Sequence, residues 1–174
     1  MESKSVFSPS IVNGILVAVV LVIFNLVLFL LDVGKESYIQ VFYHVIFALG
    51  IAWAIFSVRN NKLDGYATYG KAFTIGVFAS ISIAVIMAIY TYVNMKYIDP
   101  GMVSDALSQA EDAMIEANPE MSDDDLNNAL EITKMIMQPG LMSIISIFTT
   151  LMTGTIFSLI IAIFAKNESQ QVSM

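Results

Sequence analysis

Four long apolar runs separated by polar segments dominate the chain. They cover residues 11–31, 39–58, 72–95 and 141–165, and none contains Asp, Glu, Lys or Arg. A helix of about 20 residues crosses a hydrocarbon core about 30 Å thick. Because a chain in lipid must satisfy its own backbone amides, we expect helices rather than strands. The pattern therefore predicts an all-α polytopic membrane protein, a four-transmembrane-helix bundle forming one membrane domain over residues 1–174.

Small residues recur at every fourth position in the third and fourth runs. The third run carries Ala72, Gly76, Ser80, Ala84 and Ala88, and the fourth carries Ser146, Thr150, Gly154, Ser158 and Ala162. Such stripes let two membrane helices approach closely, although small residues are also common in membrane helices generally. We therefore predict that the third and fourth spans pack together, with these helix-packing residues: Gly76, Ser80, Ala84, Thr150, Gly154 and Ser158.

The long polar segment between the third and fourth spans, 96–134, has helical patterns of its own. Apolar residues at helical spacing from Val103 to Ala117 predict an amphipathic helix that ends at Asn118. Ser122 followed by Asp125 three positions later predicts the N-terminal cap of a second helix. We expect an extramembrane helical hairpin, with Pro139 kinking the chain between its second helix and the fourth span.

Charge is distributed unevenly and gives an orientation. Apolar residues make up 57% of the chain and charged residues 13%, against about 25% charged in a soluble domain. Residues 96–134 hold ten of the 15 acidic residues. The side of the termini carries five bases, Lys4, Arg59, Lys62, Lys71 and Lys166, against Lys35, Lys96 and Lys134 on the other. Since bases concentrate in cytoplasmic loops, we predict cytoplasmic N- and C-termini and an acidic insertion outside.

Four polar residues within the spans fall at a similar predicted depth, roughly 7–9 Å below the outer interface by helical rise. They are Asn25, His44, Tyr90 and Ser146. One interpretation is a small polar site that opens outward, with His44 as its titratable group. The other is a set of interhelical hydrogen bonds worth about 0.6 kcal/mol each. In either case we expect Asn25 and His44 to face the bundle interior, within reach of each other or of Tyr90 or Ser146.

Other chemistry has little support in the sequence. The chain has no cysteine, no catalytic or nucleotide-binding motif and no basic patch for nucleic acid, so we expect no catalytic residue, no metal and no cofactor. Residues Asp123–Asp125 could bind calcium, but they lack the alternating ligands of a calcium loop and fit a helix cap better.

The segment from Gly65 to Pro100 resembles a family of small bacterial membrane proteins, domain of unknown function 4199. The resemblance rests on Gly65, Tyr69, Ala72-Phe73 and Gly76, on the Ile89-Tyr90 pair, and on the exit Tyr97-Ile98-Asp99-Pro100. It implies a four-helix inner-membrane protein of Bacteroidetes-type bacteria, and it assigns no activity or catalytic residue.

These observations lead to three functional hypotheses. The first is a non-catalytic inner-membrane subunit, surrounded by membrane lipids, that binds another membrane protein or forms a homo-oligomer through its small-residue faces. The second is a small-molecule or lipid carrier that uses the outer polar layer. The third is an enzyme with His44 as acid or base. No feature points to a nucleic-acid partner.

Overall fold

The fold is built from helices. A computed structural model of the chain describes residues 5–33 and 37–167. Its elements are α1 (Phe7–Leu30), α2 (Ser37–Lys62), α3 (Tyr69–Val93), a π-helical turn (Asn94–Ile98), α4 (Met102–Ala117), α5 (Asp123–Ile136) and α6 (Pro139–Ala165). Within the described ranges, pairing of extended backbone is limited to one isolated bridge between Ala67 and Asn167. The predicted all-α fold is confirmed.

Four helices are long and apolar enough to cross a membrane. They are Phe7–Leu30, Ile39–Lys62, Tyr69–Ile98 and Pro139–Ala165. Each contains one of the four predicted apolar runs almost completely, and the helices extend further at several ends. The chain therefore has the helix content and the helix lengths of a multi-pass membrane protein.

Local backbone chemistry explains where α1 stops. Asp32 adopts a left-handed conformation with φ of 52°. The Val33 amide donates to the Leu28 carbonyl at 3.2 Å, and the Asp32 amide donates to the Phe29 carbonyl at 3.1 Å. This is the Schellman arrangement, which satisfies carbonyls that a helix end would otherwise leave unpaired. Asp tolerates the left-handed region better than most non-glycine residues.

The start of α5 matches the predicted cap. Ser122 has extended backbone, and its hydroxyl accepts from the Asp125 amide at 3.2 Å. The same hydroxyl donates to the Asp125 carboxylate at 2.7 Å. At its other end α5 stops at Ile136, and α6 begins at Pro139. The predicted kink at Pro139 is thus a break between two helices, as expected where proline occupies the first helical position.

The chain divides into two compact units, and the first comprises residues 1–87 and 147–174. Within its described part, α1, α2 and α6 pack around α3. In the most apolar window of each helix, 56% of residues are buried in α3, against 22–28% in the others. The α3 side chains that pack at the centre include Ile75, Ala79 and Ile83. The part of the uncharged third run that belongs to this unit, residues 72–87, is therefore its core.

Close packing joins α1 to both of its neighbours. A Cβ built on Gly14 would lie 2.9 Å from the Ala79 Cα, so only glycine fits where α1 crosses α3. Beside this crossing the Ser82 hydroxyl lies 2.8 Å from the Ala79 carbonyl of its own helix and 3.1 Å from the Ile11 carbonyl of α1, so the two acceptors share its proton. The Asn13 amide donates to the α2 carbonyl of Ala54 at 3.4 Å. These bonds hold polar groups of the spans inside the bundle.

The second unit comprises residues 88–146. It contains the end of α3, the π-helical turn, α4, α5 and the beginning of α6. Helices α4 and α5 contact each other and form the helical hairpin. Neither helix contains a buried residue. The hairpin is thus a pair of amphipathic helices whose apolar faces are only partly covered.

Candidate functional site

The predicted helix-packing residues meet in a reciprocal arrangement. Gly76 of α3 faces Ser158 of α6, and Gly154 of α6 faces Ser80 of α3. A Cβ added to either glycine would lie 2.7 Å from the Cβ of the opposing serine. The two backbones therefore approach as closely as a glycine permits. The antiparallel helices place the same pair of residue types at two successive turns.

The serine hydroxyls at this crossing are satisfied within their own helices. Ser80 donates to the Gly76 carbonyl at 2.8 Å, and Ser158 donates to the Gly154 carbonyl at 2.6 Å. Each hydroxyl thus avoids the cost of an unpaired polar group in a dry interior. No unpaired buried side-chain nitrogen or oxygen occurs among the described residues. Serine therefore acts here as a small packing residue.

Helix α2 covers both turns of the α3–α6 crossing. The Ile55 Cδ1 would lie 3.0 Å from a Cβ on Gly76, and the Phe47 ring would lie 3.3 Å from one on Gly154. Phe47 also stacks edge-to-face on Phe157, with ring centroids 5.6 Å apart. The other predicted packing residues, Ala84 and Thr150, are buried as well. The small-residue stripes of α3 and α6 are therefore covered by helices of the same chain.

His44 does not occupy the predicted position in the interior. Its side chain is exposed, and its Nδ1 lies 2.7 Å from the Gln40 carbonyl oxygen of the same helix. A carbonyl oxygen only accepts, so Nδ1 must carry the proton. In the neutral imidazole Nε2 is then an acceptor. The Tyr43 ring meets the imidazole edge-to-face at 5.5 Å.

Asn25 also bonds to its own helix instead of to a neighbour. Its side-chain amide donates to the Leu21 carbonyl at 2.8 Å, and the residue is partly exposed. No hydrogen bond joins Asn25 to His44 in the described part of the chain. Equal depth along two helices did not bring these side chains together.

Tyr90 and Ser146 belong to the second unit. The Tyr90 hydroxyl donates to the Asn94 Oδ1 at 3.3 Å within α3 and its π-helical extension. The Thr91 hydroxyl donates to the Ser146 hydroxyl at 3.4 Å, and this bond links α3 to α6. Thr91 was missed in the sequence, although it lies next to Tyr90 and has the same ability to bond. Among the described residues, Ser146 is thus the one member of the predicted layer with a hydrogen bond to another helix.

The sequence did not predict a second polar feature, a set of hydrogen bonds that joins α2, the segment before α3, and α6. The Arg59 Nη1 donates to the Ala165 carbonyl at 3.0 Å, at the negative C-terminal end of α6. The backbones of Ala67 and Asn167 exchange two hydrogen bonds of 2.8 and 2.9 Å. The Asn167 side chain also donates to the Gly65 carbonyl at 3.0 Å. We call these five residues the α2–α6 latch, and it ties the end of α2, the start of α3 and the end of α6 together.

The described residues contain no group of three or more His, Cys, Asp and Glu side chains arranged to hold a metal ion. Among the described residues, the charged side chains of the spans lie near the helix ends. Lys96, in the π-helical turn, donates to the Tyr92 hydroxyl at 2.9 Å and lies over two tyrosine rings. An ammonium group over a ring face is attracted by the ring electrons, and tyrosine is enriched at membrane–water interfaces.

Comparison with known proteins gives one match. The family described as "Protein of unknown function (DUF4199)" matches residues 13–167, nearly the whole chain. This range covers most of the first span, the other three spans and the hairpin. No curated protein and no solved structure matches the chain.

Proposed function

The chain belongs to the family described as "Protein of unknown function (DUF4199)", and we propose that it is a non-catalytic membrane subunit. In this proposal it binds another membrane protein, or a second copy of itself, through the exposed surface of α2 around His44. The bacterial inner membrane is its proposed location, with both termini in the cytoplasm. The observation that carries the proposal is the exposed imidazole of His44 within an apolar span.

An exposed histidine at this depth requires an explanation. Ionisable residues in membrane spans almost always face the bundle interior or a water-filled cavity. His44 is exposed together with its neighbours Val41 and Val45, near the N-terminal end of the side of α2 that buries Ile51 and Ile55 further along the helix. Nδ1 is occupied by the Gln40 carbonyl, whereas Nε2 has no hydrogen-bond partner among the described residues. A donor from a second protein would satisfy Nε2 and remove its cost in hydrocarbon.

The small-residue stripes limit the surfaces through which the chain could associate. They pack against each other inside the chain, so they are not available to a second protein. Association must therefore use another face of the spans. In addition to the exposed imidazole, α2 carries the exposed aromatic residues Phe42 and Trp53, and interfaces are enriched in aromatic residues.

The carrier hypothesis has weaker support from the geometry. A carrier that uses the outer polar layer needs polar groups that converge on one space. Asn25 and His44 bond to their own helices, and Tyr90 bonds to Asn94. Two of the four predicted residues are thus directed along α1 and α2 rather than toward a shared ligand.

Variants at position 44 test the proposal. The full-length chain carrying two different affinity tags is expressed in a bacterium, solubilised in mild detergent and analysed by co-purification and by mass. We expect the wild type to form an assembly, either with itself or with a second membrane protein in fixed ratio. His44→Leu should dissociate it, because the leucine cannot pair with a polar donor. His44→Gln, which keeps a hydrogen-bonding group, should retain it.

Asn25→Leu is the matched control. It removes a polar side chain from a neighbouring span, but one that already bonds within its own helix. The assembly should survive this change. A wild type that purifies as a monomer without a companion protein would refute the proposal. An assembly that persists in His44→Leu would exclude this face of α2.

A further inference from the structure

A groove runs between the two helices of the hairpin. Its apolar lining comes from Leu107 of α4 and Leu130 of α5. Its polar lining consists of Glu111, Asn127, Glu131 and Lys134. Both leucines are partly exposed rather than buried. The groove is therefore an open apolar surface with carboxylates along its edges.

The charge of the hairpin is strongly one-sided. Residues 102–138 contain nine carboxylates and one ammonium group, that of Lys134, which gives a net charge of −8. Glu111 and Glu131 form no ion pair within the described residues, and both are exposed. Their charge remains available to a partner. The three acids that open α5, Asp123–Asp125, serve the helix cap and dipole instead.

The hairpin also lacks a core of its own. Neither α4 nor α5 buries any residue. Ile115, Ile132, Met135 and Ile136 are exposed large apolar side chains on these two helices. Two short helices gain most of their stability from packing of an apolar face. Contact with a partner would bury these apolar side chains and so stabilise the two helices.

Charge distinguishes between the surfaces that could cover the groove. An anionic lipid surface would be repelled by nine carboxylates, and a second hairpin would present the same negative charge. A basic amphipathic segment matches both parts of the groove. Its apolar side chains would contact Leu107 and Leu130, and its Lys or Arg side chains would pair with Glu111 and Glu131.

We propose that the groove between α4 and α5 binds a basic amphipathic helical segment of a partner protein. The contact is extramembrane and does not involve the α2 face, so it holds whether or not the chain assembles through His44. Attraction over the whole hairpin accelerates the encounter, while the groove fixes position and orientation.

A designed peptide serves as the probe. It is a fluorescent 14-residue Lys/Leu peptide with its leucines on one helix face, and a second peptide has the same composition with the leucines scattered. Binding to the full-length chain in nanodiscs of neutral phosphatidylcholine is followed by anisotropy, with empty nanodiscs as background. We expect the amphipathic peptide to bind more tightly than the scattered one and to weaken as salt is raised.

Variants locate the binding surface. Glu111→Gln with Glu131→Gln should weaken binding about fivefold, since two ion pairs at exposed glutamates are lost. The matched control, Glu116→Gln with Glu120→Gln, removes the same charge from exposed positions outside the groove. It should change the affinity less than twofold. Circular dichroism establishes that both double variants keep the wild-type helix content.

Three outcomes would overturn the proposal. The first is binding to the wild type no stronger than binding to empty nanodiscs. The second is an equal loss in the groove variant and in the control, which would show a general charge effect without a site. The third is equal affinity for the two peptides. Because the α2 face is unchanged in every variant, loss of peptide binding with the assembly intact separates this proposal from the one based on His44.

Discussion

At the scale of single residues, the short distance between α3 and α6 depends on two glycines, which have no side chain. Gly76 and Gly154 allow each backbone to approach the serine of the other helix. A methyl group at either position would fall well inside van der Waals contact with the opposing Cβ, at 2.7 Å. The bulky neighbours Phe47 and Ile55 leave no direction in which the helices could adjust freely. Substitution at these glycines must therefore separate the helices or displace α2.

Gly154→Ala should therefore destabilise the protein by about 1–3 kcal/mol, the usual cost of overpacking a filled interior. The expected loss of stability is opposite to the usual effect of this substitution, because alanine in a helix interior is normally more stable than glycine by about 1 kcal/mol. Unfolding of the purified protein in mixed micelles, titrated with a denaturing detergent and followed by circular dichroism, measures the change.

Gly140 is the matched control for this substitution. It lies in the first turn of the same helix, and a Cβ built there meets nothing within 4 Å. Gly140→Ala should leave stability unchanged or raise it slightly. Adding Ser80→Gly to Gly154→Ala should recover part of the lost stability by removing the opposing Cβ. Equal losses at positions 140 and 154 would contradict the steric explanation.

At the scale of helices, the sequence was informative where a pattern repeats. Length and lack of charge located the four spans, and the four-residue period identified the faces of α3 and α6 that are buried in the structure. Ser122 and Asp125 marked the start of α5 because a cap requires particular residues at a fixed spacing. In each case the signal involved several positions whose relation along the chain is fixed by helix geometry.

A single polar residue in an otherwise apolar helix gives no such signal. Depth along the axis follows from counting residues, but rotation about the axis does not, and it changes by about 100° with each residue. Helix α2 is apolar on most of its circumference, so nothing in its sequence showed that His44 would be exposed. The α2–α6 latch was missed for a related reason. Its bonds join segments about 100 residues apart, as between Arg59 and Ala165.

The register between α3 and α6 makes a testable prediction. Gly76 opposite Ser158 and Ser80 opposite Gly154 define antiparallel steps of four residues, and the next step places Ala72 opposite Ala162. Both alanines are fully buried. The chain contains no cysteine. Ala72→Cys with Ala162→Cys should therefore form a disulfide in high yield when membranes are treated with a mild oxidant, as seen by altered mobility on denaturing gels after cleavage between the helices.

The neighbouring exposed residue provides the control for this cross-link. Ala72→Cys with Ile163→Cys places the second thiol about 100° around α6, on its exposed face. This pair should remain reduced under the same conditions. Efficient cross-linking of the 72–163 pair, with none for 72–162, would show that the register is different in the membrane.

At the scale of the whole molecule, charge and connectivity combine to give an orientation. The latch holds the end of α2, the start of α3 and the end of α6 together, so Arg59, Lys62, Lys71 and Lys166 are brought to one end of the first unit. Lys and Arg accumulate on the cytoplasmic side of membrane proteins. The acidic segment 102–138 follows α3, and one crossing therefore separates it from the loop after α2. The basic end should face the cytoplasm and the hairpin the opposite side.

Cysteine labelling tests this orientation, and the cysteine-free chain supplies the blank. Asn61 lies at the end of α2, and Ser108 lies on α4, and both are exposed. In intact spheroplasts an impermeant thiol reagent should label Ser108→Cys and leave Asn61→Cys unlabelled. Permeabilisation should then expose Asn61→Cys, which shows that its thiol is reactive once the reagent can reach it.

Labelling of Asn61→Cys with protection of Ser108→Cys would invert the orientation. It would also move the acidic hairpin, with its groove for a basic segment, to the cytoplasmic side. Labelling of both in intact spheroplasts would mean that α3 does not cross the membrane, and the four-span topology would fail.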